Sequence, residues 1–299
     1  MTNQQKIFKG TMLAIFAGIL WGISGIFGQL FFQAYHGDAL WITSFRLLVA
    51  GMILLGISYF KSKTLFFNLI KEKKNWPVLL LYAFGGIFSV QFFYYFTIQL
   101  SNSATATILQ YTSPVFILIY GAFFNKKLPK LKSTLLVLGA MFGVFLLISN
   151  GDVHHLNISI LALCTGGLAA VAVVIYSLAP RRILRQYGSV NVAGWGMILA
   201  GIGSNFIHPF WKINFKIEAL SIFYILSIAI LGTAIAFLIW LQATEFVSPL
   251  VVNVATATEP LTSVLVSVPL FGLALTPLSI FAMLLVVICV ILLSRSEGA

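Results

Sequence analysis

Ten stretches of this sequence are each long and apolar enough to cross a lipid bilayer, and they leave little chain for anything else. A spanning α-helix needs about 20 mostly apolar residues. The stretches are 10–33, 38–59, 76–99, 102–124, 131–149, 157–179, 190–211, 219–241, 249–270 and 276–294. A helix satisfies all of its backbone hydrogen bonds internally, which hydrocarbon cannot do for an open chain. The sequence therefore predicts an all-α integral membrane protein with ten transmembrane helices.

Charged residues are scarce and are concentrated between the apolar stretches. They make up 8% of the chain, against about 25% in soluble proteins. The net charge of +11 would suggest a nucleic-acid partner in a soluble protein, but here it reflects topology. If the N-terminus is cytoplasmic, fifteen of the 18 Lys and Arg residues face the cytoplasm, and Lys212 and Lys216 lie in outer loops. This bias follows the positive-inside rule. We expect a multi-pass protein of the cell membrane with both termini cytoplasmic and with no nucleic-acid partner.

A weak internal repeat divides the chain in the middle. Residues 101–148 align without a gap on 247–294, which places Pro114 on Pro260 and Ser113 on Glu259. A second match pairs 45–51 with 195–201. Five helices per half would place the halves in opposite orientations, an arrangement typical of secondary transporters with a site near the bilayer midplane. We expect a first repeat over 1–150 and a second over 151–299, which together form one transmembrane domain.

Several motifs, in their order along the chain, resemble those of the drug/metabolite transporter superfamily, EamA type. They are Trp21-Gly22-Ile23-Ser24, Arg46 in SFRLLVAG, the paired segments 99–116 and 245–262, and the segment 174–189. The resemblance covers nearly the whole chain and implies a transporter of five plus five helices that moves small metabolites, often outward. The family often has a Gly-Glu pair at the ends of helices 4 and 9. Here those regions read Asn125-Lys126-Lys127 and Gly272-Leu273-Ala274, without a carboxylate.

Two ionisable side chains fall well inside predicted helices, where charge is costly and often functional. Glu259 is the one acidic residue of seven that lies deep in a span. It could carry a coupling proton, hold an amine of the substrate, or make a structural hydrogen bond. Arg46 could bind an anionic group, pair with Glu259, or extend toward the bilayer surface. For Arg46 the structural interpretation is favoured.

Polar and aromatic residues around two mid-helix prolines complete the predicted site. Pro114 and Pro260 lack an N–H, so nearby carbonyls must face a cavity or a neighbouring helix. The residues predicted to bind substrate or to couple ions are Glu259, Arg46, Gln110, Ser113, Thr256, Asn253, Trp21, Tyr94, Tyr111 and Trp240. Helix packing through small polar residues is the alternative explanation for the polar members.

These features indicate a secondary transporter, not an enzyme, that moves a small organic metabolite across the cytoplasmic membrane by alternating access. Export of an amino acid or a similar amphipathic solute is the favoured interpretation. Uptake, or export of a cationic drug-like compound, is the alternative. Gly22-Ile23-Ser24-Gly25 also resembles the Gly-x-Ser-Gly of an intramembrane serine protease, with His208 as the candidate base. A channel or an assembly factor is a third class.

No cofactor or metal is expected. Asp152 with His154-His155 is the one combination that could hold a metal, and adjacent residues give poor tetrahedral geometry. Cys164 and Cys289 lie inside apolar runs, which predicts small core residues and no disulfide. The predicted partners are a small-molecule substrate, the lipid bilayer and a coupling proton, and a monomer is the expected oligomeric state.

Overall fold

A computed structural model describes residues 3–124, 131–149, 158–247, 252, 255–256, 258–272 and 275–297, and these ranges contain helices but no strand. Helix occurs in all ten predicted stretches. We label the helical segments α1 to α10. They are Asn3–Tyr35 (α1), Ala39–Lys61 (α2), Trp76–Leu80 with Leu81–Phe88 and Ser89–Leu100 (α3), Ser103–Gln110 with Ser113–Phe124 (α4), Leu131–Ser149 (α5), Ile160–Leu178 (α6), Ser189–Asn205 (α7), Ala219–Leu226 with Ser227–Ile235 and Ala236–Phe246 (α8), Thr258–Phe271 (α9) and Pro277–Glu297 (α10).

Five of the described helices are long enough and apolar enough to cross a membrane. They are Gln4–Tyr35, Ala39–Lys61, Lys73–Leu100, Ile160–Leu178 and Ala219–Phe246. Shorter apolar helices at Thr134–Gly143, Thr258–Phe271 and Pro277–Cys289 coincide with further predicted spans. Ten spans return the chain to the side of the bilayer on which it began. We call that side the terminal side and the opposite one the far side.

Three helix ends differ by five residues or more from the predicted ones, because α1 begins at Asn3 rather than at 10 and the ends of α7 and α8 are also shifted. α7 ends at Asn205 rather than at 211, because the Asn205 amide turns back to donate to the Gly201 carbonyl at 2.7 Å and accepts from the Phe210 N–H at 2.7 Å. This side chain closes the helix just before Pro209, which cannot donate a backbone hydrogen bond. α8 continues to Phe246, beyond the predicted end at 241.

Two short helices lie on the terminal side and were not predicted from the sequence. Lys63–Lys71 follows α2, and Arg181–Tyr187 lies between α6 and α7. The amide of Asn75, just beyond the first short helix, donates to the Tyr187 hydroxyl at 3.0 Å. The amide of Asn191 in α7 donates to the Leu65 carbonyl at 2.8 Å. These bonds fasten both short helices to the end of the bundle.

Contacts between the two halves of the chain occur in equivalent pairs. α1 packs on α8 and α9, and α6 packs on α3 and α4. α2 packs on α7, and α5 packs on α10. Exchanging the halves maps every one of these contacts onto another in the set. Such a pattern is what a pseudo-two-fold axis between two five-helix units produces.

The crossing of α2 and α7 shows this symmetry at the level of atoms. A Cβ on Gly51 would lie 2.8 Å from Ile198 Cγ1, and a Cβ on Gly201 would lie 2.9 Å from Leu48 Cδ2. Gly51 and Gly201 are 150 residues apart, and so are Leu48 and Ile198. The same offset relates 45–51 to 195–201. Gly51 packs against Ile198, and its equivalent Gly201 packs against Leu48, which is the equivalent of Ile198. The contact is therefore unchanged when the two halves are exchanged.

α3 and α8 are each interrupted by a π-helical segment, Leu81–Phe88 in α3 and Ser227–Ile235 in α8. The two segments begin 146 residues apart, which is the offset that aligns 101–148 with 247–294. π-Helical turns are rare and are frequent at functional sites. Both halves thus widen the same helix at the same place.

Both cysteines are free thiols, Cys164 exposed and Cys289 buried. The prediction of a core position is wrong for Cys164. It shares a face of α6 with the exposed side chains of Leu161 and Leu168, at helical spacings of three and four. That face points away from the bundle.

Candidate functional site

Arg46 is buried in the bundle, with 2% of its surface exposed. Its Nε–H donates to Thr233 Oγ1 at 2.7 Å, and its Nη2 donates to the Gly232 carbonyl at 3.3 Å. Both acceptors belong to the π-helical segment of α8. The ring of Tyr95 lies 4.5 Å from the guanidinium carbon, in cation–π contact. The cation is thus held by a hydroxyl, a carbonyl and a ring, and in the described part of the chain no carboxylate contacts it.

Glu259 lies in the first turn of α9, with 5% of its surface exposed. The Tyr111 hydroxyl lies 3.5 Å from Glu259 Oε2 and donates to the Thr256 carbonyl at 2.5 Å. A phenol has one proton to donate, so its shorter bond to the carbonyl leaves the carboxylate weakly bonded. α1 closes the other side, where a Cβ on Gly22 would lie 2.8 Å from the Glu259 carbonyl oxygen.

The two buried charges do not form an ion pair with each other. The ion pairs within the described ranges are Lys74–Glu72 and Lys216–Glu218, both outside the spans. Arg46 turns toward α8 instead, which rules out the pairing with Glu259 that the sequence left open. Both charges border the same turn of α1, because Tyr95, which stacks on Arg46, is bonded to Ser24, and the Glu259 backbone lies against Gly22. Within the described residues, Arg46 and Glu259 are therefore both buried without an ion-pair partner.

A network of buried hydroxyls and one amide extends from this region toward the far side. The hydroxyls of Tyr94 and Thr107 are 2.9 Å apart. Ser103, one turn earlier in α4, donates through its backbone N–H and its Oγ to Gln29 Oε1, each at 2.9 Å. Its Oγ is also 3.4 Å from Ser267 Oγ in α9. The network links α1, α3, α4 and α9.

A cavity of about 320 Å³ opens on the far side and is lined in part by Gln29, Gln33, His36 and Gln99. Gln29 belongs both to this cavity and to the buried network, because its Oε1 accepts from Ser103. The cavity therefore provides a polar approach from the far side to the bundle interior.

Aromatic side chains fill the bundle on the terminal side of the two charges. The Trp21 ring lies 5.5 Å from the Phe237 ring and 6.3 Å from the Trp240 ring. Phe237 meets Tyr176 at 6.3 Å, and Tyr176 stacks on Tyr82 at 5.5 Å. The structure thus brings Trp21 and Trp240 together, in an apolar cluster that closes the terminal side.

Each of the two prolines lies in the first turn of a described helical segment. α4 stops at Gln110 and resumes at Ser113, so Pro114 falls in the first turn of its second piece. Pro260 falls in the first turn of Thr258–Phe271. A first-turn proline removes no helical hydrogen bond. Gln110 Oε1 beside the first break is buried and has no hydrogen-bond partner among the described residues.

The predicted site residues are only partly gathered by the structure. Glu259, Thr256 and Tyr111 form one contact group, whereas Tyr94 bonds Thr107 and Arg46 bonds Thr233. Asn253 lies outside the described residues, and Ser113 is half-buried. Thr233 and Gly232, which accept hydrogen bonds from Arg46, were not predicted from the sequence. The 146-residue offset was the signal that could have pointed to Thr233, because it matches this polar residue to Ile87.

Ser24, the serine of the protease-like motif, packs against α3 and α8. Ser24 Oγ is 2.9 Å from the Tyr95 hydroxyl. Its Cβ and Oγ occupy the space that a side chain at Gly232 would need. His208, the candidate base, follows the far-side end of α7, whereas Ser24 lies in the middle of α1. Asp152, His154 and His155 lie outside the described residues, and within those residues no group of three potential metal ligands was found.

Comparisons with known proteins agree with this architecture. The model of the EamA-like transporter family matches twice, over residues 8–149 and 160–295. The uncharacterised inner membrane transporter YicL of Salmonella typhimurium is 31% identical over 289 residues, covering 96% of this chain and 95% of that protein. A crystal structure of a protein with 19% identity superposes with a TM-score of 0.67, over 97% of this chain and 99% of the other. At that identity it shows the fold alone.

The chain therefore belongs to the EamA-like transporter family, and the resemblance found in the sequence is confirmed. It is an all-α, multi-pass membrane protein with ten helices in two inverted five-helix repeats. The family and the relative indicate a transporter of a small molecule rather than an enzyme.

Proposed function

We propose that this protein exports a small zwitterionic metabolite, an amino acid or a similar amphipathic solute, across the cytoplasmic membrane by alternating access. One observation supports this above all others: Arg46 and Glu259 are both buried beside the same turn of α1, and neither is in an ion pair among the described residues. A buried charge without a counter-ion is costly. A zwitterion supplies both counter-ions at once, its carboxylate to Arg46 and its ammonium to Glu259.

The surroundings of the two charges favour the same class of substrate. Tyr111 contacts Glu259, and aromatic faces attract ammonium groups. Trp21 and Trp240 provide apolar surface on the terminal side for an uncharged part of the solute. The alternative substrate is a cationic compound, which would use Glu259 and Tyr111 and leave Arg46 unused.

Glu259 also provides a simple form of coupling. When no substrate ammonium is present, a proton neutralises the buried carboxylate. Substrate entering from one side displaces this proton, and after release on the other side a new proton takes its place. Competition for one carboxylate produces exchange of substrate for proton. We propose that the two repeats, 1–150 and 151–299, rock against each other around this shared site, as inverted repeats do in other secondary transporters.

Transport by the purified protein in proteoliposomes tests the proposal. The probe is a mixture of the twenty ¹⁴C-labelled amino acids, supplied with and without an imposed proton gradient. We expect saturable accumulation of label in the vesicle lumen. This accumulation should increase when the lumen is acidified, because protons leave the lumen in exchange for substrate. A parallel assay uses ¹⁴C-tetraphenylphosphonium, a cation without a carboxylate. Accumulation of this cation but of no amino acid would replace our proposal with the cationic-compound alternative.

The proposed orientation places both termini in the cytoplasm, and cysteine labelling measures it directly. In a chain with Cys164→Ser and Cys289→Ala, we expect Arg185→Cys to react with a membrane-impermeant maleimide only after cell lysis. Asn214→Cys should react in intact cells. Both positions are exposed, so access depends on the side of the membrane. The reverse pattern would refute the proposed cytoplasmic location of the termini.

A further inference from the structure

One helix contact occurs twice in this protein, once with polar and once with apolar residues. In the first version, Arg46 of α2 meets Gly232 and Thr233 of α8. In the second, Gly196 of α7 meets α3, where a Cβ on Gly196 would lie 2.7 Å from Ile87 Cδ1. Arg46 and Gly196 are equivalent in the match of 45–51 with 195–201. Ile87 and Thr233 are 146 residues apart and lie in the two π-helical segments.

The apolar version shows what the fold itself requires at this contact. Gly196 and Ile87 pack α7 on α3 without a hydrogen bond, because glycine has no side chain and the isoleucine side chain has no polar atom. The fold therefore has an apolar solution for this crossing and does not need an arginine. A buried ionic group that an apolar pair can replace is weak evidence for stability. The polar version in the other half requires a different explanation, which is recognition of an anion.

The contacts of Arg46 fix the plane and the direction of its guanidinium. Thr233 Oγ1 donates to the Ile228 carbonyl at 2.8 Å, so its lone pairs are free to accept from Arg46 Nε. Gly232 accepts from Nη2, on the same edge of the guanidinium. Tyr95 supports the face of the group, and its own hydroxyl is bonded to Ser24. The second edge, formed by Nη1 and Nη2, is the one left for a ligand.

We infer that Thr233 is a positioning residue, which holds one edge of Arg46 against the widened turn of α8 so that the other edge receives an oxyanion of the substrate. Two parallel N–H groups match a carboxylate, which accepts two hydrogen bonds in one plane. The inference rests on the proposed function, since it assigns the residue that orients the substrate's anionic group. It also explains why the widened turn carries Thr233 where the equivalent turn of α3 carries Ile87.

Nitrogen NMR of arginine side chains tests the positioning without knowledge of the substrate. The chain has five arginines, of which Arg181, Arg182 and Arg185 are exposed. In protein labelled with ¹⁵Nε-arginine, we expect one Nε–H signal, that of Arg46, to exchange slowly with water. Thr233→Val keeps the shape of the side chain and removes the acceptor, so this signal should shift and exchange at least about tenfold faster. Thr233→Ser should restore it. An unchanged Arg46 signal in Thr233→Val would overturn the inference.

A graft of the apolar version tests whether the polar pair serves function rather than packing. The double variant Arg46→Gly with Thr233→Ile copies the residues of the other half. We expect a melting temperature within about 5 °C of the wild type and no accumulation of the ¹⁴C amino-acid mixture. Failure of this variant to fold, or normal transport by it, would contradict the inference.

Kinetics separate this inference from the proposed function. Thr233→Val should raise KM for the amino-acid probe about tenfold and change kcat less than twofold, because a hydrogen bond to a charged group is lost while the charge stays. Ile87→Val, at the equivalent place in the other half, is the control and should change neither. If Arg46→Met abolishes transport but Thr233→Val behaves as wild type, only the positioning role is wrong. If Arg46→Met transports normally, the proposed function itself is wrong.

Discussion

Glu259→Gln should fold and insert normally, and its transport rate should fall by about a hundredfold or more. The substitution keeps the size of the side chain and the contact with Tyr111, so packing between α1 and α9 is preserved. It removes the charge that attracts an ammonium group and the proton that is exchanged for it. The lost interaction between a buried charge and its counter-ion is worth about 3–5 kcal/mol, which corresponds to a factor of a hundred or more.

The measurement is initial-rate uptake of the ¹⁴C amino-acid mixture at several imposed proton gradients. Wild type should respond to the gradient, whereas the Gln variant should show the same residual rate at every gradient. Glu245→Gln is the matched control, because Glu245 is exposed near the terminal-side end of α8 and should be replaceable without effect. A Gln variant with wild-type rate and wild-type response would show that Glu259 is structural.

Arg46→Met should also abolish transport, and Arg46→Lys should recover only a small part of it. Methionine fills the space above the Tyr95 ring but offers no donor to an anion. Lysine restores the charge, yet a single ammonium cannot bond Thr233, Gly232 and a carboxylate in the way that a planar guanidinium does. We expect a loss of about a hundredfold for Met and about tenfold for Lys.

Calorimetry tests whether Arg46 binds the substrate through its carboxylate. The ligand is the amino acid that the transport screen identifies. A decarboxylated analogue of that amino acid should bind wild type and Arg46→Met equally, because it has no group for the guanidinium. Arg182→Met, at an exposed arginine of the short helix between α6 and α7, is the control. Equal affinity of wild type and Arg46→Met for the intact amino acid would refute the assignment of Arg46 to the carboxylate.

The spans were predictable because hydrocarbon imposes one simple rule on sequence, whereas the helix interruptions depend on packing that no single stretch encodes. All ten predicted stretches contain helix, and α7 was misjudged only where the Asn205 side chain ends it early. The π-helical segments have no composition of their own. They arise where α8 meets Ser24 of α1 and where α3 meets α6, so only the repeat offset could have hinted at them.

The site was predictable to the extent that buried charge is conspicuous. Glu259 and Arg46 stood out because each interrupts an apolar run. Their partners did not, since Thr233 is an ordinary threonine in an apolar helix and Gly232 contributes only its carbonyl. The direction of Arg46 was equally hidden, because sequence gives the depth of a side chain in the membrane but not the helix toward which it turns.

The crossing at Gly51 and Gly201 bears on how such a chain can originate. A contact in which each residue meets the equivalent of its partner is the contact that two identical molecules make around a two-fold axis. A half-length chain with this surface would dimerise with its own copy inserted upside down, and one gene would then suffice for the whole bundle. Such a dimer, however, must carry every charge twice. Only after duplication and fusion can one copy keep an arginine where the other has glycine, and one a glutamate where the other has serine. Among the described residues, a buried arginine in one half and a buried glutamate in the other are thus a combination that the joined chain can have and a dimer of identical halves cannot have.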